Sequence, residues 1–138
     1  MKIAIINGPN LNLIGIREPD VYGHESFEVY LETIKSKYPA VTFTYFQSNV
    51  EGELVTALQQ CGFEMDGILL NPGGYTHTSV AIGDAIAAIS CPVVEVHISN
   101  IFAREDFRKI SHVSAKAVGV ISGLGLKGYE LALGYFVK

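Results

Sequence analysis

Hydrophobic positions along the chain fall into two alternating rhythms, short continuous runs and stripes spaced three and four residues apart. Lys2–Ile6 is a short apolar run and predicts a buried strand. Phe27, Tyr30, Leu31 and Ile34 form a helical stripe within Ser26–Tyr38, which stops at Pro39. Val41–Gln47 is rich in β-branched and aromatic residues and predicts a second strand. Ser48-Asn49, with Glu51 three residues after Ser48, predicts a capped helix running to about Cys61 and closed by Gly62. Gly67–Asn71 is a third strand, followed by a Pro-Gly-Gly turn and a helix over about Thr78–Ile89. Pro92–His97 is the fourth strand, with Pro92 at the first position, where a missing N–H donor matters least. A short helix is predicted over Arg104–Lys109, a fifth strand over Ala117–Ser122 and a closing helix over Leu124–Val137, the last weakened by Gly125, Gly128 and Gly134.

Strands joined by helices require parallel pairing and right-handed crossovers. Five of them predict an α/β, flavodoxin-like three-layer sandwich, a parallel sheet ordered 2-1-3-4-5 with helices on both faces. Residues 1–138 are read as a single domain. Ligands of such folds sit beyond the carboxyl ends of the strands, near the point where strand order reverses.

Composition narrows the class. With 49% hydrophobic and 17% charged residues, disorder is excluded. A formal charge of −4 argues against nucleic acid or an anionic membrane as partner. Mean hydropathy is positive, which fits a sheet buried on both faces and an oligomer that hides further surface. Cys61 and Cys91 stand in no CxxC pair and have no His at ligand spacing, so they are expected to be core thiols, not a zinc site. No apolar run reaches membrane-spanning length and the first residues enter a strand at once, so a cytoplasmic location is expected.

Candidate chemistry gathers after the first, third and fourth strands. It comprises Asn7, Asn10 and Asn12, then Arg17 and Tyr22; Asn71 to Ser79 with His77; and Glu95, His97, Ser99 and Asn100, with Arg104 and Arg108 beyond. Each has a structural reading. The asparagines are common turn formers, either histidine can be a satisfied element end, and Arg17 and Tyr22 can be a solvated ion pair and a packed ring. Independent structural uses would not all fall at one edge of the sheet, so together they indicate an active site. The connection from about Asn7 to Glu25 is long for its type, which favours a lid or binding loop. Asp84 interrupts an apolar helix, where a carboxylate needs a partner, such as one from another subunit. Glu95 and His97 share a strand face but no third ligand accompanies them, so a metal fits poorly. NGPNLN lacks GxxxxGK[ST] and GxGxxG, so a nucleotide fits poorly too.

These motifs, namely NGPNLN, GxREPxxYG at 15–23, LNPGGYTHTSVA, EVHISN with AREDFR, and GLGLKGY, resemble type II 3-dehydroquinate dehydratase in order and over nearly the whole chain. Gly74 stands where many relatives have alanine. The resemblance implies anti elimination of water from 3-dehydroquinate to 3-dehydroshikimate through an enolate, in the shikimate pathway, with no metal or organic cofactor. It implies Tyr22 as the base, His97 as the acid, Arg17 as stabiliser of the transition state and Asn10 as holder of the water beneath the enolate oxygen. Glu95 would orient His97. Ile98 and Ser99 would take the substrate carboxylate, and Asn71, His77, Asp84 and Arg108 its hydroxyls. A dodecamer, a tetramer of trimers, is implied as well. The other known route to this product uses a Schiff-base lysine, yet no lysine ends the first, third or fourth strand. The competing class is a non-catalytic receiver or flavin carrier. A receiver needs acidic residues where Asn7, Asn10 and Asn71 stand, and a flavin carrier needs a Ser/Thr-Gly phosphate loop that NGPNLN does not supply. Among enzymes, another lyase on the same scaffold is the runner-up.

Overall fold

The computed structural model describes residues 1–22 and 24–138, apart from the side chains of residues 21 and 22. Five strands, β1 (Lys2–Asn7), β2 (Thr42–Gln47), β3 (Gly67–Asn71), β4 (Val93–His97) and β5 (Gly119–Ser122), pair in parallel in the order β2-β1-β3-β4-β5. The helices are the single turn α1 (Pro19–Tyr22), α2 (Phe27–Lys37), α3 (Glu51–Cys61), α4 (Val80–Ala88) and α5 (Lys127–Leu133). Strand alternation divides the core in two. Ile3, Ile5, Leu69, Val94 and Val96 meet Phe27, Leu31 and Ile34 of α2 and Tyr129 and Leu133 of α5. Ala4, Ile6, Ile68, Leu70 and Val93 meet Leu54 and Leu58 of α3 and Ile82 and Ile86 of α4 on the other face. The result is the flavodoxin-like sandwich that the hydrophobic rhythm predicts. Both thiols are free; Cys91 is buried, and Cys61 packs half-buried against the second core.

Several element ends differ from expectation. Before α3, the cap lies at Val50, without a side-chain bond; Ser48 Oγ accepts from Val50 N and pairs with Glu53, not Glu51. Helix α4 starts later than predicted, because Gly73–His77 winds as a 3-10 helix and Ser79 Oγ then caps Ile82 N at 3.0 Å. The segment read as one helix over Arg104–Lys109 is two 3-10 turns, Ile101–Ala103 and Asp106–Lys109, with Arg104 between them. The closing helix is confined to Lys127–Leu133, since Gly123 and Gly125 adopt left-handed φ of 89° and 61° and turn the chain before it can wind. The long connection after β1 carries structure of its own: Leu11–Leu13 is a 3-10 turn, and Leu11 and Ile14 are buried in the first core.

Candidate active site

Strand β4 sets the floor. Val94 and Val96 face α2 and α5, so Glu95 and His97 project together to the opposite face, on the α4 side. Glu95 is fully buried, and three side chains satisfy its carboxylate. His97 Nε2 donates to Oε1 at 2.6 Å, Thr76 Oγ1 donates to Oε1 at 2.9 Å, and Ser114 Oγ donates to Oε2 at 2.5 Å. Burial pushes the Glu95 carboxyl up, but the bonds from His97, Ser114 and Thr76 outweigh it and hold the group below its ordinary 4.5. Glu95 is thus an ion, and it fixes the His97 tautomer with the proton on Nε2, leaving Nδ1 as the nitrogen unbonded among the described residues.

His77 ends the 3-10 helix after β3, its ring 6.4 Å from that of His97 and nearly parallel to it. Its Nδ1 bonds the Ile110 carbonyl oxygen at 2.7 Å, and Phe107 packs edge-on against it. Burial lowers the His77 pKa from its ordinary 6.5, with smaller contributions from His97 and Arg108 in the same direction, only partly offset by the Ile110 bond. His77 is therefore suited to be neutral where His97 has a carboxylate behind it.

Asn7 and Asn71 pair in register at the ends of β1 and β3 and face α5. Tyr129, fully buried, donates its hydroxyl to Asn7 Oδ1 at 2.8 Å and accepts from Asn71 Nδ2 at 3.0 Å. Asn71 Oδ1 also accepts from Gly73 N, so one amino hydrogen of Asn71 is left for a ligand. The two turns at this edge touch: Gly8 N donates to Asn71 O at 2.7 Å, and a Cβ at Gly8 would lie 2.5 Å from the Pro72 carbonyl oxygen. Only glycine fits there.

Above this floor opens a cleft of about 130 Å³ at the reversal between β1 and β3. That is well below the roughly 300–1,000 Å³ of sites for drug-sized ligands, and it suits one small ring. Of the residues singled out from sequence, Asn10, Arg17, Asn71, His77, His97, Ile98, Ser99 and Arg108 line it. Glu95 lies beneath. Three arginines, Arg17, Arg104 and Arg108, surround the opening, and no lysine is among the described lining residues. Arg108 Nε donates to Glu105 at 2.6 Å, Arg104 approaches Ser99 Oγ at 3.3 Å, and Arg17 stands 3.6 Å from Glu18. Asn10 holds the left-handed conformation that asparagine tolerates (φ 68°), with its N–H on Asn49 Oδ1. Asn12 is exposed and outside the cleft. Asp84 lies on the exposed side of α4, away from its own chain's cleft, so its carboxylate incurs no burial penalty within the protomer, contrary to expectation. Tyr22 ends α1, and its side chain lies outside the described residues. Among the described residues, no three His, Cys, Asp or Glu converge as a metal site.

Sequence reading missed Thr76 and Ser114 as partners of Glu95 and placed Arg104 near the site without a role. Thr76 lies within a motif that had already drawn attention. Ser114 follows β4 by a loop with no pattern that points back to it.

The fold and this cleft define a small α/β enzyme that handles an anionic ligand at the switch point of its sheet. The model of the family "Dehydroquinase class II" matches residues 1–137, and the chain belongs to that family. It is 54% identical over 144 residues to a 3-dehydroquinate dehydratase of Fusobacterium nucleatum, covering 100% of this chain and 97% of that one. A 3-dehydroquinate dehydratase of Exiguobacterium is 53% identical over 134 residues, covering 96% and 92%. The crystal structure of a type II dehydroquinase from Butyrivibrio crossotus superposes with a TM-score of 0.95 at 44% identity, covering 100% of this chain and 98% of that one.

Proposed function

We propose that residues 1–138 form one catalytic domain that dehydrates 3-dehydroquinate to 3-dehydroshikimate, by anti elimination through an enolate. The observation that carries this reading is the setting of His97, with an ionised, buried carboxylate behind the ring and arginines around the cleft in front. Tyr22 takes the proton from the carbon beside the ketone. A tyrosine of ordinary pKa, about 10, serves as a base near neutrality only with cations beside it. Arg17, on the same connection, supplies a guanidinium charge at the cleft. The electrons move into the ketone oxygen, where a water held by Asn10 supports the enolate. As the enolate collapses, the carbon–oxygen bond breaks and His97, as an imidazolium with Nε2–H on Glu95, gives its Nδ1 proton to the departing hydroxyl and is left as the neutral Nε2–H ring. The backbone and hydroxyl at Ile98–Ser99 receive the substrate carboxylate, while Asn71, His77 and Arg108 hold hydroxyls.

Asp84 completes the site of a neighbouring subunit in this reading. Its exposure on α4 supports that role, within a dodecamer of four trimers located in the cytoplasm. Among the described residues, no helix is long and apolar enough to cross a membrane. Incubation with 3-dehydroquinate, following the ultraviolet absorbance of the conjugated enone, tests the function. Activity should survive borohydride in the presence of substrate, because no imine forms. Irreversible inactivation by borohydride would overturn the enolate route.

A further inference from the structure

The carboxylate behind His97 is itself held from behind. The loop 110–114 crosses the α4 side of the site and makes four separate attachments there. The Ile110 carbonyl oxygen bonds His77 Nδ1 at 2.7 Å. His112 N donates to the Thr76 carbonyl at 2.9 Å. The His112 carbonyl lies so close to α4 that a Cβ at Gly83 would come within 2.2 Å of it. Ser114 Oγ reaches Glu95 Oε2 at 2.5 Å.

The direction of the hydrogen bonds in this loop is fixed by proton count. An ionised Glu95 only accepts, so the single hydroxyl proton of Ser114 belongs to that bond. Ser111 Oγ lies 2.9 Å from Ser114 Oγ, and with the Ser114 proton committed, Ser111 is the donor of that pair. Ser111 Oγ in turn accepts from the backbone N–H groups of Val113 and Ser114 at 3.0 and 2.9 Å. The chain of donors therefore runs from two amides through Ser111 and Ser114 to Glu95 Oε2, while His97 donates to the other carboxylate oxygen. Each hydroxyl in it is polarised by the donor behind it.

We propose that Ser114, backed by Ser111, is a positioning residue for the dehydration, holding Glu95 so that His97 keeps its Nε2–H on the carboxylate and presents Nδ1, the nitrogen that gives up its proton, to the cleft. The loop that carries it also holds His77, so one segment sets both rings of the site. Neither serine lines the cleft, so their effect on turnover passes through Glu95. The proposal rests on the reading of His97 as the acid.

The test compares Ser114→Ala, Ser114→Thr and Ser111→Ala in the intact protein. Losing a partner that orients a site histidine typically costs about 10- to 100-fold. Ser114→Ala should therefore lower kcat at least tenfold, with KM within about twofold of the parent. Ser114→Thr, which keeps the hydroxyl, should restore most of it. Ser111→Ala, which leaves the Ser114 proton on Glu95, should give a smaller loss of the same kind, so the question stays answerable if Ser114→Ala fails to fold. Nitrogen NMR of the His97 ring in its neutral form should show a fixed Nε2–H tautomer in the parent and an averaged signal in Ser114→Ala. Parent-like kcat in a folded Ser114→Ala protein, or a loss that Ser114→Thr does not relieve, would overturn the proposal. So would a ring signal that does not change. His97→Asn separates the two ideas: if it stays active, the acid assignment fails, whereas an inactive His97→Asn beside a normal Ser114→Ala sinks only the role of the serine.

Discussion

The floor and the rim of the cleft use charge in opposite ways. At the floor, Glu95 is fully buried, and its neighbours His97, Thr76 and Ser114 all aim donors at it. At the rim, Arg17 pairs with Glu18 at 3.6 Å with both side chains about half exposed, and Arg108 leans on the exposed Glu105. A buried carboxylate with all its donors in place permits one arrangement, because losing any donor leaves an unsatisfied ion. Exposed pairs are worth little, typically under about 1 kcal/mol, and are screened by salt. The difference teaches where each kind of function belongs. Orientation of His97, the proposed proton donor, is built into the floor, and the proposed anion recognition is left to the rim, whose arginines can exchange a protein carboxylate for a ligand one at small cost.

The largest effects should come from breaking the floor and the rim separately. His97→Ala should lower kcat by about 10²–10⁴-fold, the range for a general acid. It should do so at the second half of the reaction. Substrate deuterated at the abstracted position would then exchange with solvent faster than product forms, as followed by NMR. Absence of exchange in a variant that still binds would count against a stepwise route. Tyr22→Phe should abolish turnover without that exchange, since the proton is never removed. Arg17→Ala should be comparably severe, and Arg17→Lys a partial rescue, because a point charge replaces a planar fork. His97→Lys should recover nothing, since the floor selects for a ring with two nitrogens on opposite edges.

Acid separates the two regions next. Glu95 is held below its ordinary 4.5, so its contribution to stability is fully present above that pH and is lost as pH falls through the folded value. His77 is also depressed, from 6.5, so it too contributes stability at higher pH that is lost on acidification, beginning in a higher window. Thermal unfolding followed from neutral to acid pH should show both losses. Glu95→Gln should remove the lower one and leave the upper. A hydrogen bond from Arg108 similarly depresses Glu105, but Glu105 is exposed, so high salt should flatten its share and spare that of Glu95. If salt abolished the whole acid dependence, the floor would not be the electrostatic unit described.

How much of this was legible beforehand follows the same division. The sheet order came from the alternation of runs and stripes, because each strand of a doubly covered sheet has to be apolar on both faces. Glu95 and His97 could be paired from their spacing of two on one strand. Asn10, Arg17, Asn71, His77 and Arg108 were placed together because they follow strands that the order makes adjacent. Ser114 was not legible: it meets Glu95 across 19 residues through an irregular loop, and serines are common in loops for other reasons. The ends of elements were misplaced where a hydroxyl chose a partner that local spacing does not specify, as when Ser48 paired with Glu53. Asp84 looked costly because its neighbours in sequence are apolar, but it occupies the outward side of α4, and nothing within one chain states what covers that side.

The smallest effects concern two glycines of the same turn region, and they sharpen the comparison most cleanly because only one methyl group is added. A Cβ at Gly8 would lie 2.5 Å from the Pro72 carbonyl oxygen and 2.7 Å from its carbon, both backbone atoms that cannot rotate away. Gly8→Ala should therefore separate the turns after β1 and β3, destabilising the fold by about 1–3 kcal/mol and misplacing Asn10 and Asn71 together. Gly74 lines the cleft nearby, yet a Cβ there would meet nothing within 4 Å, and its φ is not in the left-handed region. Alanine reduces the freedom of the unfolded chain at such a position, so Gly74→Ala should stabilise by about 0.4–1 kcal/mol. Thermal unfolding and the enone assay on both variants decide the matter. A loss of stability in Gly74→Ala matching that in Gly8→Ala would mean that the rim is packed as tightly as the floor, and the distinction between them would fall.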